Sequence, residues 1–166
     1  MARSTTSEQI DFESLYRSSR DDVYAYVAGV VRDQAAAEEV TAAAFERVLT
    51  RRSSYLGDRG SPRAWLFGIA RNAAYDELRR RSRTEPVADP EERQSPGGDS
   101  TAEVAVRRAA LSAGLALLSR DERELIALKF EAGLANGDIG AVLGISESNV
   151  GTRLSRVVAK LRTAME

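Results

Sequence analysis

The segment Asp138–Arg162 constrains this chain more than any other, because its residue order specifies two helices with a sharp corner between them. Ile139, Val142 and Leu143 form the apolar stripe of the first helix, and Gly144 supplies the left-handed position that ends it. Ile145 plugs the corner. Ser146 is a strong N-cap for the next helix, whose first turn carries Glu147. In that second helix Val150, Leu154, Val157, Val158 and Leu161 recur at helical spacing and must face inward. The opposite face shows Ser148, Asn149, Thr152, Arg153, Arg156 and Lys160, the residue types that meet base edges and phosphates. The pattern reads as a helix-turn-helix with the recognition helix last. A plain amphipathic helix pair could share it, since basic residues near a helix C-terminus also complement the macrodipole. The rest of the chain has to weigh the two readings.

Composition narrows the chemistry. The 166 residues include no Cys and no His, which excludes disulfides, thiol redox chemistry, thiolate or imidazole metal sites and His-based catalysis. No cofactor or metal is expected. Only two of the basic residues are Lys, so the positive charge is almost all arginine, the better residue for forked phosphate contacts. No apolar run reaches membrane-span length, and the N-terminus lacks a signal-peptide core, so a soluble cytoplasmic protein without membrane insertion is expected.

The net charge of -1 is unevenly spread. Residues 1–83 hold 14 Arg and 12 acids, 84–102 hold one Arg and five acids, and 103–166 hold nine basic and eight acidic residues. Within the first segment, 59–83 concentrate seven Arg against two acids. Cationic faces on a nearly neutral body give poor non-specific DNA affinity, which implies that something else brings the chain to DNA.

Pro86, Pro90 and Pro96 all fall in the aperiodic, acidic stretch 84–102, which reads as a flexible linker. As a coil its ends sit roughly 25 Å apart, and on the order of 60 Å if stretched, enough to place two modules more than one DNA turn of about 34–36 Å apart. The expected fold is therefore all-α: two small helical domains, 1–83 and 103–166, joined by a flexible acidic linker, the second ending in the helix-turn-helix.

The first unit reads as three helices. One, near 11–32, places Phe12, Leu15, Tyr16, Val23, Tyr26, Val27, Val30 and Val31 on a broad face. The next, near 34–52, carries Ala37, Val40, Ala44, Val48 and Leu49 on a stripe with Phe45 beside it. After a glycine-punctuated loop, Ser61-Pro62 opens the third as N-cap and first helical residue, with Trp65, Leu66, Ile69, Ala70, Ala73 and Leu78 toward the core. Its other side shows Asn72, Tyr75, Arg79 and Arg83. An aromatic and an amide among arginines suit unstacked bases beside a cationic track; a solvated helix end is the plainer alternative. In the second unit Val104, Leu111, Leu115 and Leu118 mark one helix. Leu125, Ile126, Leu128 and Phe130 mark another, entered through a capping box of Ser119 and Glu122.

Taken together, the two halves resemble a bacterial RNA polymerase sigma factor of the extracytoplasmic-function type. Phe12-Glu-Ser-Leu-Tyr16, Ala37-Glu-Glu-Val40, Phe45-Glu-Arg47, Arg63-Ala-Trp-Leu-Phe-Gly-Ile-Ala-Arg-Asn72 and Asp76-Glu-Leu-Arg-Arg80 are similar to the successive signatures of that family's second region. Leu118–Glu124 and Gly133–Leu161 are similar to its fourth region. The resemblance implies a sigma factor that binds core RNA polymerase and directs promoter-specific initiation. Residues 1–83 would bind polymerase and recognise and melt the −10 element, and 103–166 would read the −35 element.

By the same resemblance, Asn72 and the Tyr55–Arg63 loop would hold a flipped base beside Tyr75, with Arg71, Arg79 and Arg80 near phosphates. Ser148, Asn149, Thr152, Arg153, Arg156 and Lys160 would face the −35 major groove. Glu38, Glu39, Phe45 and Arg47 would meet polymerase. Core polymerase (through its β′ clamp and β flap), promoter DNA and an anti-sigma factor are the implied partners. The free chain would be a monomer, associated with the nucleoid when in holoenzyme.

The sequence departs from the family pattern at Ala42 and Ala43, where a Gln-Glu pair is usual, and at Gly151, where Lys is usual. Together with Gly137 and Gly140, these positions lead to an expectation of weakened polymerase docking and a marginally stable C-terminal unit. Two other functions compete. An ordinary duplex-binding regulator has no need of the Trp65–Arg83 surface. A sigma-like decoy or partner-dependent regulator would bind polymerase or an anti-sigma factor without initiating alone.

Overall fold

A computed structural model of the chain describes residues 10–55, 57, 60–84 and 101–166. Most of the stretch read as a linker lies outside the described residues, as do Leu56, Asp58 and Arg59 of the glycine-punctuated loop. Every regular element among the described residues is helical.

Local capping chemistry fixes most helix starts. Helix α1 (Phe12–Val31) begins where the Asp11 carboxylate accepts from the Ser14 amide, and it ends at Arg32 in a left-handed conformation. In α2 (Gln34–Arg51) Asp33 caps the Ala36 amide in the same way. Ser61 caps α3 (Pro62–Thr84) by accepting from the Ala64 amide at 3.1 Å, with Pro62 at the first helical position. Helix α4 spans Ala102–Ala116. The Ser119–Glu122 capping box is complete at the start of α5 (Arg120–Ile126). A π-helical turn, Ala127–Glu131, extends α5, and α6 (Asn136–Leu143) and α7 (Glu147–Met165) form the helix-turn-helix.

Helices α1, α2 and α3 pack around Val23, Tyr26, Val27, Val40, Ala44, Val48, Leu66, Phe67 and Ala70, with the Tyr26 and Phe67 rings edge to face at 5.7 Å. Leu66, Ala70 and Ala73 of α3 are buried as expected, but the inward face is broader than the stripe and partly shifted from it. Phe67 and Ala74 are buried, whereas Trp65, Ile69 and Leu78 are only half-buried. Helix α3 is covered on two sides, by α1 and α2 and again by α6, so its buried arc is wider than one apolar stripe.

The stripe on α4 fares differently. Leu118 just beyond it is buried and Leu115 half-buried, but Val104 and Leu111 are exposed. Helix α4 rests on α7 near its C-terminal end, where Gly114 faces Leu161. Phe130 is likewise exposed, because the π turn carries it away from Leu128, which is fully buried.

The buried residues of both units form one continuous cluster. Helix α3 packs on α6, and the π turn packs on α1. The two units expected from the sequence therefore sit face to face.

Candidate nucleic-acid interface

The corner between α6 and α7 is set by sterics. Gly144 takes a left-handed φ of 72°. The Gly140 carbonyl accepts from the Ile145 amide at 3.0 Å, and a Cβ on Gly140 would stand 2.6 Å from the Ile145 carbonyl oxygen. Gly140 is thus required by the tight turn, which corrects its reading as a merely weakening residue. Gly151 differs: a Cβ there would meet only the Asn136 amide at 3.8 Å.

Ser146 caps α7 by accepting from the Asn149 amide, and Val150, Leu154 and Val157 anchor the helix inward. All six residues assigned to the outward face, Ser148, Asn149, Thr152, Arg153, Arg156 and Lys160, are exposed. Arg153 donates to the Asn149 side chain at 2.9 Å, which aligns an arginine fork with an amide on one face. Lys160 is partly committed elsewhere, since it pairs with Glu122 at 3.1 Å and ties α7 to the start of α5.

The α3 face divides. Asn72, Arg79 and Arg83 are exposed. Arg80 pairs with Glu77 at 2.7 Å and Arg81 with the same carboxylate at 3.1 Å, while Arg79 lies 3.6 Å from Asp76. The Arg80 hydrogen bonds hold the Glu77 carboxyl below the usual carboxylate range, and Arg81 adds to the effect. Much of the cationic run is therefore already paired within its own helix.

Arg63 is turned inward. It donates to Ser19 Oγ at 2.8 Å and to the Ala132 carbonyl, pairs with Asp22 at 2.6 Å, and lies over the Phe67 ring. Tyr55 is buried, with its hydroxyl donating to the Gly60 carbonyl at 2.7 Å and its ring against Trp65. Neither residue presents itself to a base in this arrangement. Of the four residues assigned to polymerase docking, Glu38, Glu39 and Arg47 are exposed on α2. Phe45 is buried in an aromatic cluster with Phe12 and Tyr16, so it holds α1 to α2 instead of offering a ring to a partner.

Arg71 and Tyr75 meet a residue that the sequence did not single out. Glu124 of α5 is 7% exposed and accepts from Arg71 Nε at 2.6 Å, from the Tyr75 hydroxyl at 3.1 Å and from the Tyr26 hydroxyl at 2.8 Å. Burial, then the Glu124 carboxylate, pushes the Tyr26 hydroxyl well above the ordinary tyrosine range and also raises that of Tyr75, so both remain donors. Burial pulls Arg71 down, but Glu124 more than offsets it and the guanidinium stays charged. Arg120 also lies over the Tyr75 ring, 4.5 Å from its centroid. One signal for this network was legible: Tyr26 falls on an inward face, and a buried tyrosine hydroxyl needs a partner. The identity of that partner was not.

Similarity to known proteins follows the same division. The chain matches the family description Sigma-70 region 2 over residues 15–84 and Sigma-70, region 4 over residues 100–161. It is 34% identical over 165 residues to the RNA polymerase sigma factor CarQ of Myxococcus xanthus, covering 98% of this chain and 93% of that protein. To the ECF RNA polymerase sigma factor SigL of Mycobacterium tuberculosis it is 30% identical over 156 residues, with coverage of 92% and 88%. Among solved structures, the sigma factor RpoE in complex with the anti-sigma factor NepR, from Bartonella quintana, superposes with a TM-score of 0.72 at 23% identity, covering 93% of this chain and 96% of that one. CnrH in complex with the cytosolic domain of CnrY gives 0.64 at 23% identity, covering 92% and 85%. At these identities the structural likeness is one of fold.

Proposed function

Because this chain belongs to the ECF family of RNA polymerase sigma factors, and so directs promoter-specific initiation, we propose that its two units divide the promoter between them. Residues 103–166 read the −35 element through α7, with Arg153, Asn149, Ser148, Thr152 and Arg156 at the groove and Lys160 as a lateral support held by Glu122. Residues 1–83 take the −10 element on the α3 face, where Asn72 and Tyr75 hold an unstacked base and Arg71, Arg79 and Arg80 follow the strand. The observation that carries the reading is the α7 surface: a capped helix, fixed by a glycine-dependent corner, presents an Arg–Asn pair to solvent while Val150, Leu154 and Val157 are buried on its other side.

Polymerase docks on the exposed edge of α2 through Glu38, Glu39 and Arg47, and the C-terminal unit meets the β flap. Each unit alone is a weak DNA binder; the shared platform supplies the effective concentration that makes their sum selective. The free chain is a monomer in the cytoplasm that joins the nucleoid in holoenzyme. An anti-sigma factor restrains it, a reading supported by the likeness in fold to RpoE, which was solved in complex with the anti-sigma factor NepR. No helix among the described residues is long and apolar enough to cross a membrane.

Run-off transcription with core polymerase across a promoter library tests the assignment. Transcripts that depend on this chain, and that vanish with Asn72→Ala or Arg153→Ala, are the expected result. Binding to core without any transcript would replace the reading with a decoy or partner-dependent regulator, for which Ala42 and Ala43 are the supporting residues.

A further inference from the structure

We infer that Arg120 of α5 joins Asn72 and Arg79 of α3 in a binding site for the phosphate of a nucleotide, with both units contributing. These side chains line one open pocket of about 320 Å3 together with Arg71, Tyr75 and Asp121. Only Arg71 and Tyr75 are shared with the Glu124 network. The site goes beyond the promoter reading, because Arg120 has no part in the strand face proposed above and comes from the other unit.

Two guanidinium groups lie against the Tyr75 ring, Arg71 at 4.9 Å and Arg120 at 4.5 Å from its centroid. Arg71 is committed to Glu124, whereas Arg120 forms no ion pair among the described residues. Stacking fixes the plane of Arg120 without using up its donors, so the fork is set before any ligand arrives. The Arg79 guanidinium meets only Asp76 among the described residues, at 3.6 Å and with both side chains well exposed, which makes a weak pair. Asn72 is exposed and has no hydrogen-bond partner among the described residues. Asp121 is the one carboxylate on the pocket wall, against three arginines. Guanidinium groups that face one small pocket repel each other, and an anion between them turns that repulsion into charge-assisted hydrogen bonds. A phosphate has acceptors for two such forks, and the Asn72 amide suits the sugar or base that carries it. Because Arg79 and Arg120 stand on helices of different units, the pocket is complete only where α3 and α5 meet.

Binding of ATP carrying a fluorescent N-methylanthraniloyl label is measured on the full chain, with unlabelled ATP and pyrophosphate as competitors and a labelled oligothymidylate titrated in parallel. Arg120→Ala and Arg79→Ala should each weaken labelled ATP about tenfold or more, the loss expected when a charged donor to phosphate is removed. Arg108→Ala removes the same charge from an exposed position on α4 outside the pocket, and should change binding less than about twofold. Arg120→Lys keeps the charge without the flat fork and should restore only part of the affinity. Thermal melts establish that each variant is folded. Unlabelled ATP should displace the probe better than pyrophosphate does, and Asn72→Ala should erase that preference. Oligothymidylate binding with the same dependence on Arg120 identifies the phosphate as that of a strand; ATP binding without it identifies a free nucleotide. Equal losses in Arg120→Ala and Arg108→Ala, or a loss confined to Arg79→Ala and Asn72→Ala, overturn the two-unit site. A wild-type chain that binds neither ATP nor oligothymidylate at millimolar concentration overturns it as well. The −10 assignment stands or falls separately, on run-off transcription with Asn72→Ala.

Discussion

Replacing Gly140 by alanine puts a methyl carbon 2.6 Å from the carbonyl oxygen of Ile145 and 3.5 Å from the amide nitrogen of Glu147, both backbone atoms. Neither can rotate away, so the α6–α7 corner must open. Overpacking of this kind costs about 3 kcal/mol, offset by roughly 1 kcal/mol gained in helix propensity, for a net loss of about 2 kcal/mol. Gly151→Ala is the internal control. Its new methyl meets only the Asn136 side chain at 3.8 Å, so the propensity gain of about 1 kcal/mol should appear undiminished. For a chain of this size each kcal/mol moves Tm by roughly 2–4 °C. Thermal melts should therefore place Gly140→Ala about 4–8 °C below the wild type and Gly151→Ala about 2–4 °C above it. A Gly140→Ala chain that melts at or above the wild-type temperature would falsify the claim that the corner is sterically closed. A Gly151→Ala chain that melts lower would show instead that Asn136 holds its position firmly against α7.

Other perturbations test separate parts of the structure. Thr41 is buried on α2 and its hydroxyl has no hydrogen-bond partner among the described residues, so Thr41→Val should be neutral or stabilising by up to about 1 kcal/mol in a denaturant titration; a loss of more than that would reveal a partner. Glu77 has a folded pKa lowered first by Arg80, so its contribution to stability is present above the ordinary carboxylate pKa of about 4.5 and is lost as pH falls through the lower folded value. Glu77→Gln should flatten that acid limb of Tm against pH, and an unaltered limb would mean that the ion pairs do not form in solution. Arg153→Ala should cost about 1–3 kcal/mol of discrimination among −35 duplexes in holoenzyme competition assays, whereas a uniform loss across all sequences would make it a phosphate contact.

What was legible in the sequence was local. The caps at Ser61, Ser119 and Ser146 and the left-handed Gly144 act over three or four residues, so chain order alone fixes where α3, α5 and α7 begin and where α6 ends. The outward face of α7 was legible for the same reason: its apolar residues repeat at helical spacing, which leaves the polar ones together on the other side. On α3 the same rule reached its limit. Two neighbouring bodies bury this helix, and a periodic pattern reports only that some side is apolar, not how many sides are covered.

Only the tertiary structure decided which charges are spent internally. Arg63 and Arg71 look alike in sequence to Arg79, yet the first two are drawn into the junction, by Ala132 and Glu124, while Arg79 stays at the surface. Phe45 is likewise closed off by neighbours on another helix, Phe12 and Tyr16. The physical reason is distance along the chain. A cap is chosen by atoms a few bonds away, but the partner of a buried carboxylate is chosen by how two separately folded surfaces come to rest, and the side chains that meet at Glu124 start 49 to 98 residues from it.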